Sequence, residues 1–274
     1  MPRASASTAA FACSPSDALT SQRQFKTVSN VPREDLLPRP TGGRFVVGAK
    51  PITQEEWLPP DAEMLRMRTM IRSAHPAEVF ACMDGWGSEV AAVFDALPTD
   101  TPDDICVLGS VNERWVLVGG ELCFPNRWVL AEKIGLPVLD IHGPVPRYAA
   151  QVGAGVDSLI DRLADRRIVE RSNWSISDTG DFFEPRTPPP NPDIDPADLL
   201  LRVERQTLRR LDDVVVFTIR TYMEPMSSFR ERPREQVDSF VRVLHETPAD
   251  VRDYKSITTY VEPLCAYLTS CSPH

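Results

Sequence analysis

Hydrophobic and polar positions follow two different periods along this chain. The first half is mostly helical in spacing. Thr53-Gln54-Glu55-Glu56 forms a capping box, which predicts a helix opening just ahead of Pro59 and Pro60. Met64, Met67 and Ile71 recur on one helical side and predict a helix over 61–72, ending before Pro76. Ser88 predicts a cap for a helix over 89–97. Pro125 and Gly135 bracket a helix over 126–134. Val152, Val156, Leu159, Ile160 and Leu163 predict another over 147–165, and Val237, Phe240, Val241 and Leu244 a C-terminal one.

The strand-like runs are fewer early and dominant late. Phe45-Val46-Val47 predicts a short strand. Residues 105–108 and 115–118 predict a pair around the turn at Val111-Asn112-Glu113, the second continuing past Gly119-Gly120. Residues 167–176, 200–211 and 214–223 predict three late strands, the last two joined at Asp212-Asp213. Six prolines between Pro185 and Pro196 make that stretch an extended connection. Helices gathered ahead of three strands predict an α+β fold with an antiparallel sheet. A parallel doubly wound sheet would need strict alternation of the two element types. Residues 1–43 lack an apolar period and carry Pro32, Pro38 and Pro40, so a disordered leader is expected there and a domain over 44–270.

Composition changes this picture little and narrows the function. Of 274 residues, 42% are hydrophobic and 25% charged, which suits a chain that buries a real core. The net charge of −9 argues against nucleic acid or an anionic membrane as the main partner. No run of apolar residues is long enough for a spanning helix, and the N-terminal stretch lacks a secretory core. A cytoplasmic setting is expected; the basic bias of residues 1–33 gives a mitochondrial one as the second reading. The six cysteines show neither C-x-x-C nor C-x-x-C-H spacing, so no zinc site, cysteine-bound cluster or covalent haem is predicted. Val152-Gly153-Ala154-Gly155 starts like a dinucleotide loop, but no strand precedes it and nucleotide binding is set aside.

The late strands carry an unusual amount of charge. Arg202, Glu204 and Gln206 share one face by alternation, and Val203, Arg205 and Thr207 the other. In the next strand Phe217, Ile219 and Thr221 alternate with Thr218, Arg220 and Tyr222. A solvated face explains one charged row and not two. The alternatives are a polar wall facing a ligand and an ion-pair ladder across strands. Asn173-Trp174-Ser175 fits a glycosylation acceptor, but Trp174 as a packing group and Asn173 as a polar lining group is the preferred reading.

Several blocks recur together in one known family. They are Leu122-Cys123-Phe124-Pro125-Asn126-Arg127-Trp128, Ala131-Glu132-Lys133-Ile134-Gly135 and Ile141-His142-Gly143-Pro144-Val145-Pro146, followed by Asn173-Trp174-Ser175. The stretches 201–211 and 217–222 complete the set. In order and spacing the chain from about Phe45 to Leu268 resembles the haem-dependent oxidative N-demethylases, with the region before Leu122 shortened.

That resemblance implies a PAS-like antiparallel sheet with flanking helices and helical additions at both ends. It implies non-covalent haem b, O2 and a small amine or natural-product intermediate as substrate. Electrons would come from a separate flavin and iron–sulfur reductase. Placed before the helix that precedes the last strands, His142 matches the position of an axial ligand, with Cys123 as the rival. Trp174, Asn173 and Arg127 would bind the cofactor, with Lys133 and Arg147 as further partners for its propionates. Arg220, Tyr222 and Glu204 would carry the chemistry, by polarising oxygen or holding the amine. A haem-based sensor and a cofactor-free scaffold are the competing readings.

Overall fold

The computed structural model describes residues 30–165 and 167–270. Residues 1–29, which hold most of the expected leader, lie outside the described residues. From Asn30 onward the chain is docked: Asn30 and Leu36 are buried, and Asn30 Nδ2 donates to the Thr221 carbonyl at 2.8 Å. The end of the expected leader therefore packs on the sheet.

Strand β1 (Lys50–Ile52) leads into α1 (Gln54–Trp57), α2 (Ala62–Ala74), β2 (Phe80–Cys82) and α3 (Gly87–Ala96). Next come β3 (Asp104–Val111), β4 (Arg114–Glu121), α4 (Val138–Ile141) and α5 (Ala154–Asp161). The late half holds β5 (Ile168–Ser177), β6 (Leu200–Leu211) and β7 (Val214–Pro225). Helices α6 (Met226–Phe229), α7 (Arg234–Glu246), α8 (Ala249–Tyr254) and α9 (Val261–Thr269) close the described chain. The capping box forms as predicted: Thr53 N donates to Glu56 Oε2 at 2.8 Å. Asp61 accepts from the N–H groups of Glu63 and Met64 and starts α2.

Four expectations differ from the structure. The helix expected to be capped by Ser88 over 89–97 is α3, which starts at Gly87 with Trp86 at its N-cap and no side-chain cap bond. The strand expected at Phe45–Val47 forms instead at Lys50–Ile52. The helix expected over 126–134 is only a single 3₁₀ turn at Leu130–Glu132. There Arg127 sits at φ 62° and donates its N–H to the Glu184 carbonyl, so the bracketing proline and glycine enclose a loop tied to the chain beyond β5. The helix over 147–165 is shorter, a π turn at Ala149–Gly153 followed by α5.

The sheet is α+β in context and antiparallel throughout, with order β1-β5-β6-β7-β3-β4-β2. Two tight hairpins dominate it. Asn112 and Glu113, both at positive φ, turn β3 into β4, and Asp212 at φ 50° turns β6 into β7. The second turn pairs Leu211 with Val214, which sets Glu204 opposite Thr221 and Arg205 opposite Arg220.

Both faces of the sheet are covered. On one, Val169, Leu208, Val215 and Ile219 meet Val138, Tyr148, Val152 and Ile160. Farther along that face Leu200 and Met223 meet Met64, Met67 and Ile71 of α2. On the opposite face Leu201 and Val203 pack on α7 and α9, and Val107 and Val216 on Trp57 and α3. Covering on both sides explains why so few strand positions are solvated. The close pairing of β3 and β4 depends on Gly120, where an added Cβ would lie 2.4 Å from the Ile105 carbonyl oxygen. Gly120→Ala is expected to cost about 1–3 kcal/mol by overpacking, read as a lower urea midpoint; an unchanged midpoint would show that the hairpin yields freely.

Candidate functional site

Sheet register divides the expected site residues between two faces. Val169, Arg171, Asn173 and Ser175 of β5 stand opposite Leu208, Gln206, Glu204 and Arg202 of β6. These side chains share the face covered by the segment 138–163 and by α2. Trp174, Val203 and Tyr222 form a row on the other face, and so do Ser172, Arg205 and Arg220. Glu204 and Asn173 are thus brought together, while Arg220, Tyr222 and Trp174 point away from them. The expected single pocket of Glu204, Arg220 and Tyr222 does not form.

The far-face residues have structural partners. Arg220 donates to Asp103 and to the Pro59 carbonyl. Arg205 donates to Glu170 and to the carbonyls of Trp57 and Glu56. Trp174 meets Phe240 edge-on with ring centroids 5.7 Å apart, and Tyr222 joins the same apolar cluster. This is the ion-pair ladder with an apolar end.

On the near face Glu204 is buried and gathers donors. Asn126 Nδ2 reaches it at 3.2 Å, Gln206 Nε2 at 3.1 Å and Asn173 Nδ2 at 3.5 Å. Arg202 Nε lies 3.6 Å away as an ion-pair partner. Asn126 also donates to Ser175 Oγ at 3.1 Å, which is why the loop after Pro125 leaves helical geometry.

His142 caps α4 on the same side. Its Nδ1 lies 2.8 Å from the Val138 carbonyl oxygen. A carbonyl can only accept, so Nδ1 carries the proton and the Nε2 lone pair is left for another partner. The imidazole stacks on Tyr148 with centroids 4.3 Å apart and planes 7° from parallel, which fixes its plane. Burial pulls its pKa below the ordinary histidine value, opposed by the Val138 carbonyl and aided by Arg171 and Lys133. The ring is neutral at physiological pH.

Arg171 is the least satisfied cation nearby. Its buried Nε finds no hydrogen-bond partner among the described residues. Burial pulls the guanidinium below the usual arginine range, with Tyr148 and Glu204 opposing. Arg127 and Arg147 are already engaged, on Glu184 at 2.9 Å and on Asp250 at 2.8 Å. Cys123 is fully buried beside Met64, Met67 and Phe124, away from His142, and burial pushes its thiol up to about 12. It stays protonated, whereas a metal-ligating sulfur is a thiolate.

A cleft of about 380 Å³ runs along the outer edge of β5, lined by Phe45, Arg171, Asn173, Trp174, Thr247 and Lys255. It exists because β1 pairs only with residues 168–170, leaving the rest of that edge without a strand. Arg171 and Asn173 connect the cleft to the near-face polar group.

Sequence reasoning missed Arg171, Tyr148 and Lys255. Arg171 had a usable signal, since it precedes Asn173 by two in a strand. Tyr148 lies two residues past the block ending at Pro146, and only its stacking on His142 marks it. Lys255 is the C-cap that follows α8 and belongs to no motif. Among the described residues, no cluster of three or more His, Cys, Asp or Glu is placed to hold a metal ion. No helix among them is long and apolar enough to cross a membrane.

A haem iron takes its equatorial ligands from the porphyrin and needs one side chain from the protein, plus cations for two propionates. A neutral imidazole with a free Nε2 fits the first need, and a guanidinium whose buried Nε lacks a partner among the described residues fits one of the two propionates. The profile of a family described as haem-dependent oxidative N-demethylase, alpha subunit-like, matches residues 60–265. That span includes His142, Arg171, Glu204 and Lys255. The chain belongs to the haem-dependent oxidative N-demethylase alpha subunit-like family.

Proposed function

We propose that this chain is the haem-holding, oxygen-using subunit of an enzyme that oxidatively removes a methyl group from a small amine. The observation that carries the reading is His142: proton fixed on Nδ1, ring clamped by Tyr148, Nε2 open, Arg171 unpaired nearby. In this reading His142 Nε2 would ligate the haem iron and Arg171 would meet a propionate, a role the sequence suggested for Arg127 and Arg147, which instead pair with Glu184 and Asp250. The bound haem, of b type, supplies oxygen and one-electron chemistry. The protein's own part is to orient the ring, exclude water with Val152, Val156 and Leu208, and hold the amine. Glu204 suits that last task, because its buried carboxylate is already fixed by Asn126, Asn173 and Gln206. A PAS-like sheet supporting the haem and a separate flavin and iron–sulfur reductase belong to the same proposal.

The test is an absorption spectrum of the haem-loaded chain, oxidised and reduced. His142→Ala is expected to abolish or strongly shift the Soret band and to weaken haem retention by about tenfold or more, the scale on which metal-site partners matter. Far-ultraviolet circular dichroism should be unchanged. An unshifted Soret band in folded His142→Ala protein removes His142 from the iron. Titration with small amines then reads substrate binding as a spectral shift.

A further inference from the structure

Lys255 stands apart from the other amines of this chain. The sequence has four lysines, at 26, 50, 133 and 255, and Lys26 lies outside the described residues. Lys50 is held by Asp35 and lies 3.4 Å from Glu170. Lys255, in contrast, meets neutral oxygens: the Trp174 carbonyl at 2.5 Å and Asn173 Oδ1 at 3.5 Å. Its Nζ lies 4.8 Å from the centroid of the Trp174 ring. No carboxylate forms an ion pair with it among the described residues, and its own backbone carbonyl accepts from the Arg127 guanidinium at 2.6 Å. It lines the β5-edge cleft, half-buried, so a small molecule can reach it.

We propose that Lys255 is a carbonyl-reactive amine, whose Nζ condenses with a small aldehyde admitted by this cleft. The neutral Nζ attacks the carbonyl carbon and a C–N bond forms. The carbonyl oxygen takes up the two amine protons and leaves as water, giving an imine. Atoms balance without an added oxidant or reductant. Asn173 Oδ1 and the Trp174 carbonyl accept from the amine and aim its lone pair away from the strand edge. The surroundings favour the reactive form: burial pulls the Lys255 pKa to about 8, with Glu204 opposing and Arg171 and Arg127 adding to the fall. The biological aldehyde follows from chemistry, since oxidative loss of an N-methyl group releases the methyl carbon as formaldehyde. That link rests on the demethylase reading; the condensation does not.

The experiment treats the full chain with limiting formaldehyde and cyanoborohydride, which traps imines as methylated lysine, and maps the product by peptide mass. Near neutral pH, Lys255 should be modified at least about tenfold faster than Lys50, whose amine is held above its ordinary pKa by the hydrogen bond to Asp35, since each pKa unit is a tenfold change in neutral amine. Its rate should level off above about pH 8. Lys255→Arg should remove the fast phase and leave the other lysines unchanged. A Lys255 rate no faster than that of Lys133 overturns the proposal, because an ammonium locked on the strand edge would behave in that way. Added aldehyde requires neither haem nor turnover, so absence of demethylation would leave this result standing.

Discussion

Arg220→Ala should destabilise the chain by about 3–5 kcal/mol, the usual cost of breaking a buried ion pair from one side, with haem uptake per folded molecule unchanged. Arg220 is 3% exposed and Asp103 is fully buried. The guanidinium serves both Asp103 and the Pro59 carbonyl, tying the chain between α1 and α2 to the centre of the sheet. Asp103 Oδ2 already lacks a hydrogen-bond partner, so no spare donor stands ready to replace the arginine. Burial raises the Asp103 pKa, opposed chiefly by Arg220. Without Arg220 the folded form would bind a proton at Asp103 more tightly than the unfolded chain does. Its stability would then fall as pH rises above the ordinary carboxylate value, and the deficit would shrink in mild acid. Replacing both partners, Arg220→Met with Asp103→Leu, should recover most of the loss. Urea titrations of the two variants measure this. A fully stable Arg220→Ala protein with selectively lost oxygen chemistry would restore Arg220 to a pocket role and refute the ladder.

Arg171→Met should do the reverse. With no haem bound, removing a guanidinium whose buried Nε has no partner is expected to stabilise the fold by about 1–3 kcal/mol. Methionine keeps much of the apolar length of the arginine stem. Haem retention, by contrast, should fall by about tenfold if Arg171 holds a propionate, a charge-assisted contact in a poorly solvated place. Thermal melts of the haem-free protein and haem-transfer rates of the loaded protein read the two effects separately. A variant less stable without haem would make Arg171 a packing residue, and unchanged haem retention would take it out of the site. Opposite signs for stability and binding are the signature of a group kept for its ligand.

Much of the sheet was legible because its information is local. The hairpins at Asn112-Glu113 and Asp212-Asp213 lie between alternating runs, and a two-residue turn leaves one register. That register already separated Glu204 from Arg220, because Leu211 opposite Val214 makes even positions of β6 face odd positions of β7. The expectation of one pocket came from treating the two polar rows as a single wall. The loop 126–134 was misread for a different reason. Proline and glycine bracket helices, but Asn126 instead bonds Ser175 and Glu204, far along the chain. His142 was visible through its rigid glycine–proline surroundings. Tyr148 and Lys255 were not, since stacking and cleft position depend on tertiary placement.

The sheet order also says how the molecule can assemble. Each long hairpin closes over two residues, so its loop entropy is near the minimum for any strand pair. The seam where Asp104–Gly109 of β3 meets Val214–Ile219 of β7 joins segments more than a hundred residues apart. It is the high-contact-order step, in which two finished hairpins must supply the free energy of joining. Glu204, Asn173 and Arg171 all sit on β5 and β6, to one side of that seam. The floor of the site can therefore be complete before the two halves of the sheet meet.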